Sequence, residues 1–114
     1  MKVAIIGGRD FNDYKLLKSV CEKHQISTIV SGGAKGADSL AEQYAKEKNI
    51  QTEIYLPDWN KHGRSAGFIR NTEIVDAADF IVAFWDGISK GTNHSITIAE
   101  KMDKPIIIIR YEIQ

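Results

Sequence analysis

Five short runs of β-branched residues recur along the chain, Val3–Ile6, Ser27–Val30, Thr52–Tyr55, Phe80–Phe84 and Ile106–Ile109, each nearly continuous in apolar character. A strand covered on one face alternates apolar and polar positions, so unbroken runs predict strands buried on both faces. Between them lie apolar stripes of helical period: Leu16, Leu17, Val20 and Cys21; then Ala37, Leu40, Ala41, Tyr44 and Ala45; then Ile96, Ala99 and Met102. A further helix is expected from about Arg64 to Ala77, carrying Ile69, Ile74 and Val75, and an irregular segment over Pro57–Gly63, with Trp59 and His62, before it. Alternating strands and helices predict an α/β three-layer sandwich with helices on both faces of a parallel sheet. Right-handed crossovers place the first strand centrally, giving five strands in the order 3-2-1-4-5.

With 114 residues the chain is expected to form a single domain over 1–114, since domains usually run to ~100–200 residues. Lysine and arginine number 15, as do aspartate and glutamate. That balance argues against attachment to duplex DNA or an anionic membrane by bulk charge. Cys21 is the one cysteine, so no internal disulfide can form, and no Cys/His cluster has zinc spacing. Neither a metal nor a cofactor is implied. Met1-Lys2 leads straight into Val3–Ile6 without a signal-peptide core, and apolar runs such as Pro105–Ile109 are far below the ~18 residues of a membrane span. A cytoplasmic protein without membrane contact is the expectation.

Glycine placement carries the functional information. Seven of the nine glycines follow predicted strands directly: Gly7 and Gly8, then Gly32, Gly33 and Gly36, then Gly87 and Gly91. In a parallel sheet these positions share the carboxyl edge, where open α/β folds bind ligands at a switch in strand order. Each loop also runs into a helix N-terminus, whose N–H groups and dipole favour an anion. Strand-to-helix turns use glycine for purely local reasons too. Three such turns on one edge favour a phosphate-bearing ligand.

The loop Ser31-Gly32-Gly33-Ala34-Lys35-Gly36-Ala37-Asp38 is neither a Walker A loop nor a dinucleotide fingerprint. Lys35 is a phosphate partner or a solvated loop lysine; Asp38 is a ligand contact or a first-turn helix charge. Arg9 could clamp phosphate or stack on a base, or could pair with Asp10 or Asp13. Phe11 is read as core. After Trp85, Asp86, Gly87 and Ser89, Thr92 is the expected N-cap of the last helix. Trp85 and Trp59 are candidate base-stacking surfaces, against the alternative of packing. Arg70 and Asn71 either face the crevice or, for Arg70, meet a structural acid such as Glu73 or Asp76.

Four motifs occur in order: Gly7-Gly8-Arg9-Asp10-Phe11; Ser31-Gly32-Gly33-Ala34-Lys35-Gly36-Ala37-Asp38; Trp59 with Gly63 and Ala66-Gly67-x-x-Arg70-Asn71; and Trp85-Asp86-Gly87-x-Ser89-x-Gly91-Thr92. Together they resemble the YspA-like group of the SLOG superfamily, named after the Smf/DprA and LOG proteins. The resemblance implies a Rossmann-like sheet whose glycine-rich edge binds nucleotides or nucleotide-derived ligands, and relatives that are phosphoribohydrolases, sensors of signalling nucleotides or DNA-uptake proteins. It also implies a homodimer or larger assembly, as in LOG proteins. LOG hydrolases carry Pro-Gly-Gly-x-Gly-Thr-x-x-Glu, whose glutamate works with a helix arginine. Aligned on Gly91-Thr92, that glutamate position holds Ser95, while Arg70 stands as counterpart of the arginine. Cleavage of an N-glycosidic bond calls for a carboxylate or an equivalent group. The leading expectation is therefore nucleotide binding, as a sensor or sequestering protein. A rival is a nucleotide hydrolase, with Arg70, His94, Asp38 or Glu100 as catalytic candidates. A third reading is single-stranded nucleic-acid binding, against which zero net charge and the lack of a basic stripe count.

Overall fold

The computed structural model describes residues 1–112. Its elements are β1 (Lys2–Gly7), α1 (Tyr14–Cys21), β2 (Thr28–Ser31), α2 (Ala37–Lys48), β3 (Gln51–Ile54), α3 (Trp59–His62), a 3-10 turn (Gly63–Ser65), α4 (Ala66–Ala77), β4 (Phe80–Trp85), α5 (Lys90–Lys101) and β5 (Ile106–Arg110). The strands are all parallel and lie in the order β3-β2-β1-β4-β5. Val3 pairs with Ile29 on one side and Phe80 on the other, which makes β1 the centre. Chain direction across the sheet reverses between β1 and β4, and a crevice opens there at the carboxyl edge.

Period-two alternation along the central strands splits the core. Val3, Ile5, Ile29, Val82 and Phe84 meet Leu17 and Val20 of α1 and Ala41 and Tyr44 of α2. Their neighbours Ala4, Ile6, Val30, Ile81 and Ala83 meet Ile74 and Val75 of α4 and Ile96 and Ala99 of α5. Phe11 is buried and stacks on Phe84 with ring centroids 4.5 Å apart. The Cys21 thiol lies in the first of these layers, and burial pushes its pKa up to about 12, which keeps it unreactive. Among the described residues no helix is long and apolar enough to cross a membrane.

Four details depart from the sequence expectation. β3 and β5 are not buried on both faces, because they are the sheet's edges; Ile107 and Ile108 of β5 remain 37% and 43% exposed. Met102 caps the end of α5 and stays partly exposed instead of joining its stripe. The Pro57–Gly63 segment contains a helical turn, α3, because the Asp58 carboxylate accepts the Lys61 N–H at 3.0 Å. The last helix begins earlier than Thr92: Ser89 is its N-cap residue, and the Asn93 N–H already donates to the Ser89 carbonyl at 3.1 Å.

Phe84 is fully buried where both α1 and α2 meet the sheet. Phe84→Ala should lower stability by ~3–5 kcal/mol in urea denaturation; a loss below ~1 kcal/mol would show that the core is not organised around it.

Candidate functional site

The first two glycine loops are locked to each other. The Gly8 carbonyl accepts the Phe11 N–H at 3.3 Å and the Ala37 N–H at 3.2 Å, so the start of α2 is tied to the loop after β1. Gly36, at φ +78°, lies so close to the Gly8 carbonyl and the Arg9 backbone that a Cβ would overlap both. This turn needs glycine for its backbone angle and for its clearance.

The second loop wraps around a carboxylate. Asp38 Oδ2 accepts the Ala34 N–H at 3.1 Å. The Gly33 N–H meets Ser31 Oγ at 3.3 Å. The Gly33 and Ala34 amides are therefore occupied from within the loop and its helix. Burial raises the Asp38 pKa, opposed by the Ala34 amide and the Arg70 guanidinium.

Arg70 reaches across from α4. Its Nη1 donates to the Gly32 carbonyl at 2.7 Å and its Nε donates to Asn71 Oδ1 at 3.2 Å. Neither Glu73 nor Asp76 holds it; the side chain faces the crevice. A methyl group on Gly32 would come within 2.6 Å of Arg70 Nη1 and 2.9 Å of Asp38 Oδ2. The bare α-carbon is what lets the two charges face each other there.

Asp86 shapes the fourth loop, its Oδ1 accepting the N–H groups of Ile88 at 2.8 Å and Ser89 at 2.7 Å. These bonds hold its carboxyl below the usual carboxylate range. The turn delivers Ser89 as the cap of α5, and the N–H groups of Lys90, Gly91 and Thr92 lie in the first turn, where a helix supplies no internal partner. The Ser89 hydroxyl donates to Thr92 Oγ1 at 3.3 Å.

Between these parts lies a cleft of about 260 Å³. Ile6 and Ile74 contribute its apolar surface, and its lining includes Gly7, Gly8, Arg9, Asp38, Arg70, Asn71, Ser89, Gly91 and Thr92. Ser95 also lines it, buried, with its hydroxyl donating to the Gly91 carbonyl at 3.4 Å. The two acids that could have paired with Arg9 are engaged elsewhere. Asp10 accepts the Tyr111 hydroxyl at 2.7 Å, and Asp13 caps α1 by accepting the Leu16 N–H at 3.0 Å.

Other sequence candidates stand back from this lining. Ser31 and Gly32 are buried beneath it, Gly33 packs on Leu56 and Ile54, and Lys35 is exposed. Trp85 donates its Nε1 hydrogen to the Ser89 carbonyl at 3.1 Å and carries the Arg110 guanidinium 5.7 Å from its ring centre; Gly87 packs against that same guanidinium. Trp59 is exposed beside Gly67. His94 sits at the rim, with Nδ1 3.5 Å from Asn71 Nδ2. Glu100 is exposed, nine residues beyond Gly91 and roughly 14 Å further along the helix axis. Phe68, which the sequence did not single out, is 54% exposed and packs its ring 4.4 Å from that of His94. Its only signal was a large aromatic outside the apolar stripe of α4.

A larger hollow of about 550 Å³ lies by Asp10, Asp13, Arg110 and Glu112. Three carboxylates against one guanidinium repel a phosphate, so the smaller cleft is the candidate site. Among the described residues, no group of three His, Cys, Asp or Glu is placed to hold a metal ion.

Known proteins add context. The family described as the YspA, cpYpsA-related SLOG family matches residues 1–62, which hold the first two glycine loops and Trp59. The Gene 61 protein of Mycobacterium phage D29 is 41% identical over 85 residues, spanning 69% of this chain and 68% of that protein. DNA processing protein A (DprA) from Streptococcus pneumoniae superposes with a TM-score of 0.81 at 20% identity, over 98% of this chain. This chain spans about half of DprA, 51%, and the likeness is one of fold.

Two glycine substitutions should separate. Gly36→Ala should lower stability by roughly 3 kcal/mol or more, because neither its φ nor the Gly8 backbone can yield. Gly32→Ala should push the ends of two side chains, Arg70 and Asp38, aside and lose less, ~1–2 kcal/mol. Equal losses in urea denaturation would show that Arg70 cannot move.

Asp38 supplies a pH test. Between the unfolded aspartate value, ~3.9, and its raised folded value, the native state holds more protons than the unfolded one. This group alone therefore lowers stability as pH rises through that window. The stability of Asp38→Asn relative to the parent should climb as pH is raised from about 4, as read by urea denaturation. A relative decline would mean that Arg70 and the amides outweigh burial.

Proposed function

The chain belongs to the YspA, cpYpsA-related SLOG family, and from that membership and its cleft we propose that it binds a nucleotide or nucleotide-derived, phosphate-bearing ligand, as a sensor or a sequestering protein. One observation carries the reading: the first turn of α5, Arg70 and Arg9 converge on a single cleft at the strand-order switch. The phosphate is taken by the N–H groups of Gly91 and Thr92, with the helix dipole behind them. Arg70 is held in place by the Gly32 carbonyl through one Nη1 hydrogen and by Asn71 through Nε, and its remaining N–H groups stay available to phosphate oxygens. Asp38, the carboxylate of the cleft lining, accepts sugar hydroxyls.

A second reading, hydrolysis of a nucleoside monophosphate, draws support from Asp38, a buried carboxylate of raised pKa facing Arg70. Ser95 has no carboxylate to offer at the position where the resemblance places the LOG glutamate. Single-stranded nucleic acid, the reading that a DNA processing neighbour invites, lacks support from charge, since the chain has no net charge.

Calorimetric titration of nucleoside monophosphates, with assay of free base, tests these readings. Arg70→Ala should weaken binding by about tenfold to more than a hundredfold, the loss of a charge-assisted contact of ~1.5–3 kcal/mol. Ser95→Glu should weaken binding by repulsion between its carboxylate and the phosphate. Unchanged affinity in Arg70→Ala would remove Arg70 from the site. Robust release of free base by the unaltered protein would promote the hydrolytic reading over ours.

A further inference from the structure

The cleft, about 260 Å³, falls below the ~300–1,000 Å³ of sites that enclose a small molecule. A ligand that seats its phosphate at the start of α5 and its sugar beside Asp38 must leave any base outside, on the rim. One stretch of the rim is aromatic and continuous with the lining. Asn71 lines the cleft, its amide nitrogen lies 3.5 Å from His94 Nδ1, and the His94 ring lies 4.4 Å from the Phe68 ring. Phe68 is 54% exposed in the first turn of α4, where it buries little area for the fold. The alternatives are worse placed. Trp85 is engaged with the Ser89 carbonyl and the Arg110 guanidinium, and Trp59 leans over Gly67 and is absent from the cleft lining.

Resting on the nucleotide-binding reading above, we infer that Phe68, backed by His94, is the stacking platform for the base of the ligand. An aromatic face accepts any flat heterocycle, so the platform distinguishes nucleotides from plain sugar phosphates and discriminates weakly among bases. Asn71, wedged between the platform and Arg70, positions the join between base and sugar.

The experiment titrates AMP and ribose 5-phosphate into the parent protein, Phe68→Ala, Phe68→Tyr and Arg70→Ala. Phe68→Ala should weaken AMP about tenfold or more while leaving ribose 5-phosphate within about twofold, and Phe68→Tyr should bind AMP like the parent. Arg70→Ala should weaken both probes. If the parent binds AMP no more tightly than ribose 5-phosphate, or if Phe68→Ala leaves AMP unchanged or weakens both probes alike, the platform is overturned; the nucleotide reading still stands if Arg70→Ala lowers affinity for both. If the parent binds neither probe, both inferences fall together.

Discussion

The carbonyl of Gly8 is the contact on which the site depends. By accepting the Ala37 N–H it uses a donor that α2 cannot satisfy within itself, and it ties the second strand-helix turn to the first. Gly36 permits the approach by having no side chain. With α2 anchored there, Asp38 in its first turn lies beneath the loop after β2 and accepts its Ala34 N–H, while the Gly33 N–H meets Ser31 Oγ. The loop after β1 is meanwhile pulled tight, with Asp10 drawn towards Tyr111 and Arg9 left facing the cleft.

A carboxylate that deep loses its water and must be compensated. Loop amides supply part of this, and Arg70 supplies a facing charge across the bare α-carbon of Gly32. Arg70 thus has two tasks at once. It holds the Gly32 carbonyl, which fixes its own rotamer, and it sets its guanidinium in the lining of the cleft together with Asp38. A guanidinium can do both because its donors are spread over a rigid plane; a lysine ammonium could not.

The glycine-rich second loop and the start of α5 divide what the sequence had assigned jointly to phosphate. One loop has turned its Ala34 amide to a residue of the helix that follows it. The other has used Asp86 to build a cap and brought Ser89, Gly91 and Thr92 at the start of α5 into the cleft lining. Both are loops ahead of helices, and they differ in where the acidic residue sits. Asp38 lies inside the helix, in its first turn, and reaches back beneath the loop; Asp86 lies three residues before the cap and braces it from behind.

Strand positions, their order, the two-sided core and the gathering of glycines on one edge were legible in the sequence. Each follows from local periodicity and from the handedness of crossovers, which need no knowledge of particular contacts. The burial of Phe11 was equally readable from pattern. Whether Arg70 met Glu73 or crossed to Gly32, and whether the second loop's amides faced solvent or Asp38, were not. The helical spacing of Arg70 fits both outcomes, and the choice rests on a carbonyl 38 residues away. Phe68 escaped notice for the same reason, since its relation to His94 exists only where α4 and α5 pack together. Sequence alone determined which chain segments reach the carboxyl edge, because periodicity is local; tertiary structure decided which of their side chains meet, because a hydrogen bond is set by positions in space that distant parts of the chain must jointly define.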